Sequence, residues 1–175
     1  MALAEKEGGV HLAPANRKIV GCHDVALSVT ESHLAELSSI QVNSFKYSKS
    51  LGVRPWGVRT ASSDPQWRHL TVRRTFIMLR RSLDFGLGWV PFEPNNHNTR
   101  KRLMIVVTQF LQELYDKGMF VGGNPEEAFF VKCDDENNPN SAIGDGKLIC
   151  QIGVAPAVPT EFIFIDVEQE MLINT

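Results

Sequence analysis

Cysteine is scarce here: three among 175 residues, Cys22, Cys133 and Cys150. An odd number without metal-ligand spacing excludes a disulfide framework or a zinc site and reads as reduced, partly buried thiols of a cytosolic product. The five histidines, His11, His23, His33, His69 and His97, are scattered, none at ligand spacing with another His or a Cys. Ser62 and Ser63 lack a nucleophile-elbow pattern. Gly86-Leu87-Gly88 and Gly122-Gly123 lack both the further glycines and the strand–turn–helix order of a phosphate loop. Residues 134–140 superficially match a calcium loop, but Pro139 stands where the turn glycine belongs and the bidentate Glu is missing; they read as a solvated loop. These absences argue against an enzyme, a metal and a cofactor. No apolar run approaches the roughly 20 residues of a spanning helix. Residues 1–10, with Glu5, Lys6 and Glu7, are too polar for a signal peptide, so no membrane partner is expected.

What is present is an ordinary globular composition, 43% hydrophobic and 22% charged, which argues against disorder. The length suits one domain with a sizeable core, or one domain with extended tails. A net charge of −2 conceals a strong asymmetry: residues 54–102 hold ten basic and three acidic side chains, residues 103–175 three basic and twelve acidic. Two readings stand. The zones neutralise each other within the fold, or basic and acidic faces meet between subunits and steer assembly.

Residues 54–83 form the stretch around which the chain reads as organised. A short extended run ends near Thr60, and Ser62-Ser63-Asp64-Pro65 turns the chain, because Pro fixes φ and keeps its predecessor out of the α region. Val72, Phe76, Leu79 and Leu83 then recur at helical spacing, predicting a helix over 69–85. Arg73, Arg74, Arg80 and Arg81 form a basic ridge beside that stripe. Trp56 and Trp67 bracket the turn and read as structural, each burying a ring against the helix; losing a buried Trp costs about 3–5 kcal/mol.

Elsewhere, residues 9–20 read as irregular, running into a short strand near Ile19. Thr30 caps a helix over 31–37 with Leu34 and Leu37 inward, without the Glu of a capping box because His33 occupies that position. Residues 40–47 alternate as a strand whose phase slips near Asn43 or Ser44. Residues 53–58 complete a hairpin, with Pro55 arguing for an edge. A long helix is predicted over 98–117, capped by Asn98 or Thr99 and stopped by Gly118, with Leu103, Met104, Val107, Phe110, Leu111 and Leu114 on its buried face. Arg100, Lys101 and Arg102 lie in its first turn, the end where the helix dipole disfavours cations. That placement points to an oppositely charged partner or to a solvated cluster. A helical turn at 125–127 and strands over 129–133 and 147–154 follow. Residues 161–168 alternate with apolar groups on nearly both faces, so Phe162 and Phe164 want neighbours on each side. The fold class is α/β in an α+β layout: a mixed β-sheet packed against two principal helices, with an extended C-terminal strand or arm.

Three ordered blocks, WGVRTASSDPQWRHLTVRR from Trp56, NPEEAFFVKCD from Asn124 and GKLICQIGVAPAVPTEFIF from Gly146, resemble the C-terminal region of contractile tail sheath proteins. These build the sheaths of tailed phages, R-type pyocins and related injection systems. The resemblance runs from about Gly9 onward. It implies a structural subunit that stacks with other sheath subunits around an inner tube protein and contracts to drive that tube through a target envelope. It implies assembly in the bacterial cytoplasm as part of a virion tail or injection particle. Residues 1–160 would be a sheath core domain and 161–175 a strand and inter-subunit arm. The sequence upstream of the family's APAN block is missing, implying a truncated form, a separately encoded fragment or one part of a larger subunit.

On the same footing, Arg100, Lys101 and Arg102 are candidates for tube contact. Arg73, Arg74, Arg80, Arg81, Phe162, Phe164, Val167 and Glu168 are candidates for subunit contact. Residues 167–175 are expected to become ordered only when another subunit takes them up, as a strand added to its sheet. The competing reading is a soluble binding domain that uses the arginine ridge for acidic partners or nucleic acid. Overall acidity and the lack of aromatic platforms among the arginines argue against nucleic acid.

Overall fold

A computed structural model describes residues 2–159 as an α+β arrangement. The strand and arm expected over 161–175, with Phe162, Phe164, Val167 and Glu168, lie outside the described residues. The chain opens with a helix, α1 (Ala2–Gly8), where only a polar segment was expected. Its Glu5 reaches Arg74 at 2.6 Å and its Glu7 pairs with Arg17. Helix α2 (Glu31–Ser39) begins at Thr30 as predicted. The expectation of an incomplete cap is corrected. Thr30 Oγ1 accepts from the His33 N–H at 3.4 Å, and His33 Nδ1 accepts from the Thr30 N–H at 3.5 Å, so an imidazole does the work of the missing carboxylate.

The first strand, β1 (Ser44–Ser48), is shorter than expected. Ile40 caps α2, and Gln41 adopts φ +63° to turn the chain, so the residues before the slip in alternation are a helix exit and the strand begins only after it. Strand β2 (Gly52–Trp56) pairs with it in antiparallel register, Phe45 opposite Pro55. On the outer side of β2, the Asn16 N–H donates to the Pro55 carbonyl at 2.8 Å and the Ile19 N–H to the Val53 carbonyl at 2.9 Å. Pro55 thus faces the side where only an acceptor is used.

Asp64 caps a single 3-10 turn, Pro65–Trp67, by accepting from the Gln66 N–H at 2.9 Å. Helix α3 (Leu70–Gly86) follows, buried along Thr71, Val72, Thr75 and Leu79. Trp67 packs edge-on against Phe76 with centroids 5.1 Å apart. Helix α4 (His97–Asp116) is capped by Asn96, not Asn98 or Thr99: the Asn96 side chain accepts from the Thr99 N–H at 3.0 Å. Gly118 turns the chain at φ +73°, a conformation that favours a residue without Cβ. After the turn α5 (Pro125–Ala128), β3 (Phe129–Lys132) pairs antiparallel with β4 (Gln151–Val154), and α6 (Asn140–Gly144) lies between them.

Among the described residues the expected mixed sheet is therefore two separate antiparallel pairs, β1–β2 and β3–β4. The main core joins Leu79 of α3 to Leu103, Val107, Leu111 and Leu114 of α4, with Met119, Phe120, Ala128 and Cys133. Leu111→Ala should cost about 2–5 kcal/mol, because the site is wholly buried. Trp67→Ala should cost less, its ring being only half-buried. Denaturant midpoints of the two variants check that order, and a Trp67→Ala protein as stable as the parent would make that ring a surface group.

Candidate functional site

The cations at the start of α4 are divided by the helix itself. Asn96 sets the first turn so that Thr99, Arg100 and Leu103 face inward while Lys101 and Arg102 face out. Arg100 is 7% exposed. Its guanidinium reaches Asp135 Oδ1 at 2.7 Å and donates to the Asp134 carbonyl at 3.2 Å. The opposite charge that this cation calls for thus lies in the same chain, in the acidic loop after β3. Arg102 stacks over Trp89, 4.2 Å from the ring centroid, and Lys101 is exposed.

That acidic loop is not simply solvated. Asn138 is 2% exposed, and its amide acts as a missing strand partner. Oδ1 accepts from the Ile149 N–H at 2.8 Å, and Nδ2 donates to the Ile149 carbonyl at 2.9 Å. Asn95, in the connector before α4, donates to Asn138 Oδ1 at 3.2 Å and to the Lys147 carbonyl at 2.8 Å. One buried amide therefore ties the loop, the connector and the chain entering β4 together. Sequence reasoning passed over it, because an Asn in a polar run carries no periodicity; the only signal was Asn137-Asn138 beside the predicted strand end.

The arginine ridge on α3 is likewise divided. Arg74 is half-buried and held by Glu5, while Arg73, Arg80 and Arg81 are exposed, Arg73 lying over Trp67 at 5.0 Å. Trp56 lies under Lys46 Nζ at 4.5 Å, with Arg54 6.0 Å away. A continuous four-arginine face for an acidic ligand is therefore not formed, and the binding-domain alternative loses its basis.

The third feature is the outer side of β4. The Ala155 N–H donates to the Ala128 carbonyl at 2.8 Å, which sets the alternation of the β3–β4 ladder. Gln151 and Gly153 turn their backbone groups to β3, and Ile152 and Val154 turn theirs away. Among the described residues no strand lies on that side. Beside β4 a groove of about 260 Å³ is walled by Phe76, Leu79 and Leu83 of α3 and by Ile152 and Val154. Arg80 and Asp84, one of each charge, also line it. Among the described residues no cluster of His, Cys, Asp and Glu could hold a metal, and no helix is long and apolar enough to cross a membrane.

Residues 62–170 match the family model of the phage tail sheath C-terminal domain. The tail sheath protein of Vibrio phage KVP40 is 27% identical over 150 residues, 85% of this chain but 22% of that protein. A chain in the anti-feeding prophage baseplate, 6-fold symmetrised, is 35% identical with a TM-score of 0.89, over 97% of this chain and 48% of that one. A chain of the PVC sheath complex of an extracellular contractile injection system, in the contracted state, is 28% identical with a TM-score of 0.90, over 95% and 48%. The chain thus spans under a quarter of the curated phage relative and about half of the structural ones.

Asn138→Ala would strip both Ile149 backbone groups of their partner, and since Ile149 is 38% exposed the cost should fall at the low end of the about 1–3 kcal/mol for a buried group left unpaired. The expected result is a lower melting temperature together with faster amide exchange at Ile149. Unchanged exchange there would mean that water replaces the amide without loss.

Proposed function

This chain belongs to the phage tail sheath family, and from that premise we propose that it is the C-terminal core-domain portion of a contractile sheath subunit. In this reading many copies stack around an inner tube protein as part of a virion tail or injection particle, assembled in the bacterial cytoplasm. Its role is mechanical, not enzymatic. Side chains that could serve catalysis are spent on structure: Asn138 on a backbone clasp, Arg100 on the acidic loop, His33 on a helix cap.

The observation that carries this reading is the outer edge of β4, which no strand among the described residues covers, beside a largely apolar groove. An extended segment laid there would gain main-chain hydrogen bonds at Ile152 and Val154 and could seat alternate side chains against Phe76 and Leu83. A head-to-tail contact of this type does not close within a pair, so it propagates into rings or helical tubes. Residues 161–175, with Phe162, Phe164, Val167 and Glu168, would supply such a segment to a neighbouring subunit. Arg80, which lines the groove with Asp84, and the neighbouring Arg81 would meet its acidic residues. Arg74, engaged with Glu5, and Arg73, lying over Trp67 at the surface, would instead brace α3. Trp67, packed on Phe76, and Trp56, beneath Lys46, would have structural roles.

Of the three α4 cations, Lys101 and Arg102, the latter stacked over Trp89, are the exposed ones that could meet an acidic tube surface. Single exposed pairs contribute about 0.2–1 kcal/mol, so such contact would act through repetition and weaken with salt. Lys101→Glu with Arg102→Glu should leave folding intact and reduce co-sedimentation with tube protein, whereas Arg100→Glu should destabilise the domain itself. Undiminished co-sedimentation of the double variant would remove these residues from the tube interface. Deleting residues 168–175 from the whole subunit should abolish tube formation in negative-stain images while leaving the melting temperature nearly unchanged. Normal sheaths from that deletion would show that the tail is no linking arm.

A further inference from the structure

The β3–β4 register, Lys132 opposite Gln151, brings the next residues, Cys133 and Cys150, face to face at the end of the ladder. The alternation set by the Ala155–Ala128 bond makes this a non-hydrogen-bonded position, where Cα atoms approach to about 4.5 Å and side chains are closest. That separation lies within the range a disulfide spans. Both side chains turn to the core face, Cys133 within the main core and Cys150 packed against it. We propose that Cys133 and Cys150 are a cross-strand dithiol, a modification site that a small-molecule disulfide oxidises to an intramolecular disulfide closing the acidic loop. The inference rests on the ladder geometry and not on the sheath reading.

The surroundings fit that role. The loop so closed contains Asp134 and Asp135, which hold Arg100, and Asn138, which clasps Ile149 and approaches Cys133 Sγ at 4.0 Å. A covalent link would fasten the same loop that the Asn138 amide fastens by hydrogen bonds. Cys150 is partly exposed and Cys133 is 3% exposed, so the oxidant meets Cys150 first. The Cys150 thiolate attacks one sulfur of the oxidant and expels its other half as a thiolate, which takes up a proton. The Cys133 thiolate then attacks the Cys150 sulfur and expels the second half. One bond between the protein sulfurs forms, two thiol protons are lost, and one small disulfide is reduced to two thiols. Burial raises the Cys133 thiol pKa and, with Cys133 adjacent, pushes that of Cys150 up to about 12. The pair therefore stays reduced through brief exposure at neutral pH. Its oxidation should quicken about tenfold per pH unit while the thiolate is the minor form.

The test is incubation of the intact protein with oxidised glutathione, followed by denaturation, alkylation of remaining thiols and peptide mapping without reductant. The expected product joins the peptides bearing Cys133 and Cys150, forms equally in Cys22→Ser, and is absent from Cys150→Ser. The linked wild type should also resist urea further than its reduced form. Recovery of Cys133 and Cys150 as alkylated thiols or as separate glutathione adducts would overturn the proposal, as would a link to Cys22.

Discussion

Leu103, Val107, Leu111 and Leu114 lie along one line of α4, and the main core of the described residues is built against that line. Val107 and Leu111 have no exposed surface. Each such side chain contributes about 1.5–3 kcal/mol of burial, enough to hold a helix of this length that propensity alone would leave marginal. Leu79 of α3 docks on the line from one element, and Ala128 and Cys133 dock from the segments flanking β3. Once that face is committed, the opposite face is set as well. Lys101 and Arg102 are turned outward, Arg100 is turned under the acidic loop, and the short sheet stands with one strand edge open.

The charge asymmetry in the chain then resolves into specific pairs. The basic middle and the acidic C-terminal part meet at Arg100 and Asp135, and Arg74 is met by Glu5 from the first helix. Both readings offered for the asymmetry keep a place: some arginines are neutralised within the domain, while Arg80, Arg81 and Lys101 face outward. A surface with Arg74 and Arg100 paired to carboxylates and its outer charges spread over two helices suits a subunit that binds copies of itself. It suits a compact anionic ligand poorly.

Strong periodicity was legible in advance. The spacing of Val72 and Leu79, and of Leu103, Val107, Leu111 and Leu114, located both long helices to within a residue or two. Pro125 and Gly118 marked a helix start and stop by local chemistry. Features that depend on distant partners were not legible. Asn96 outcompetes Asn98 and Thr99 as the cap, since all three carry a capping side chain and only the fold selects among them. Asn138 looks like any loop Asn until Ile149 lies opposite. Two separate strand pairs could not be told from one mixed sheet, because pairing partners leave no mark on alternation. The open edge of β4 is of the same kind, visible only when its neighbours are known.

That edge carries the central claim, and amide hydrogen exchange at Ile152 and Val154 tests it most directly. Their N–H groups point away from β3, so they should exchange rapidly in the isolated chain and become strongly protected in assembled sheath, while Gln151 and Gly153, already bonded to β3, should change little. Equal exchange at Ile152 and Val154 in the two states would contradict the account, since no strand would then have been added to β4.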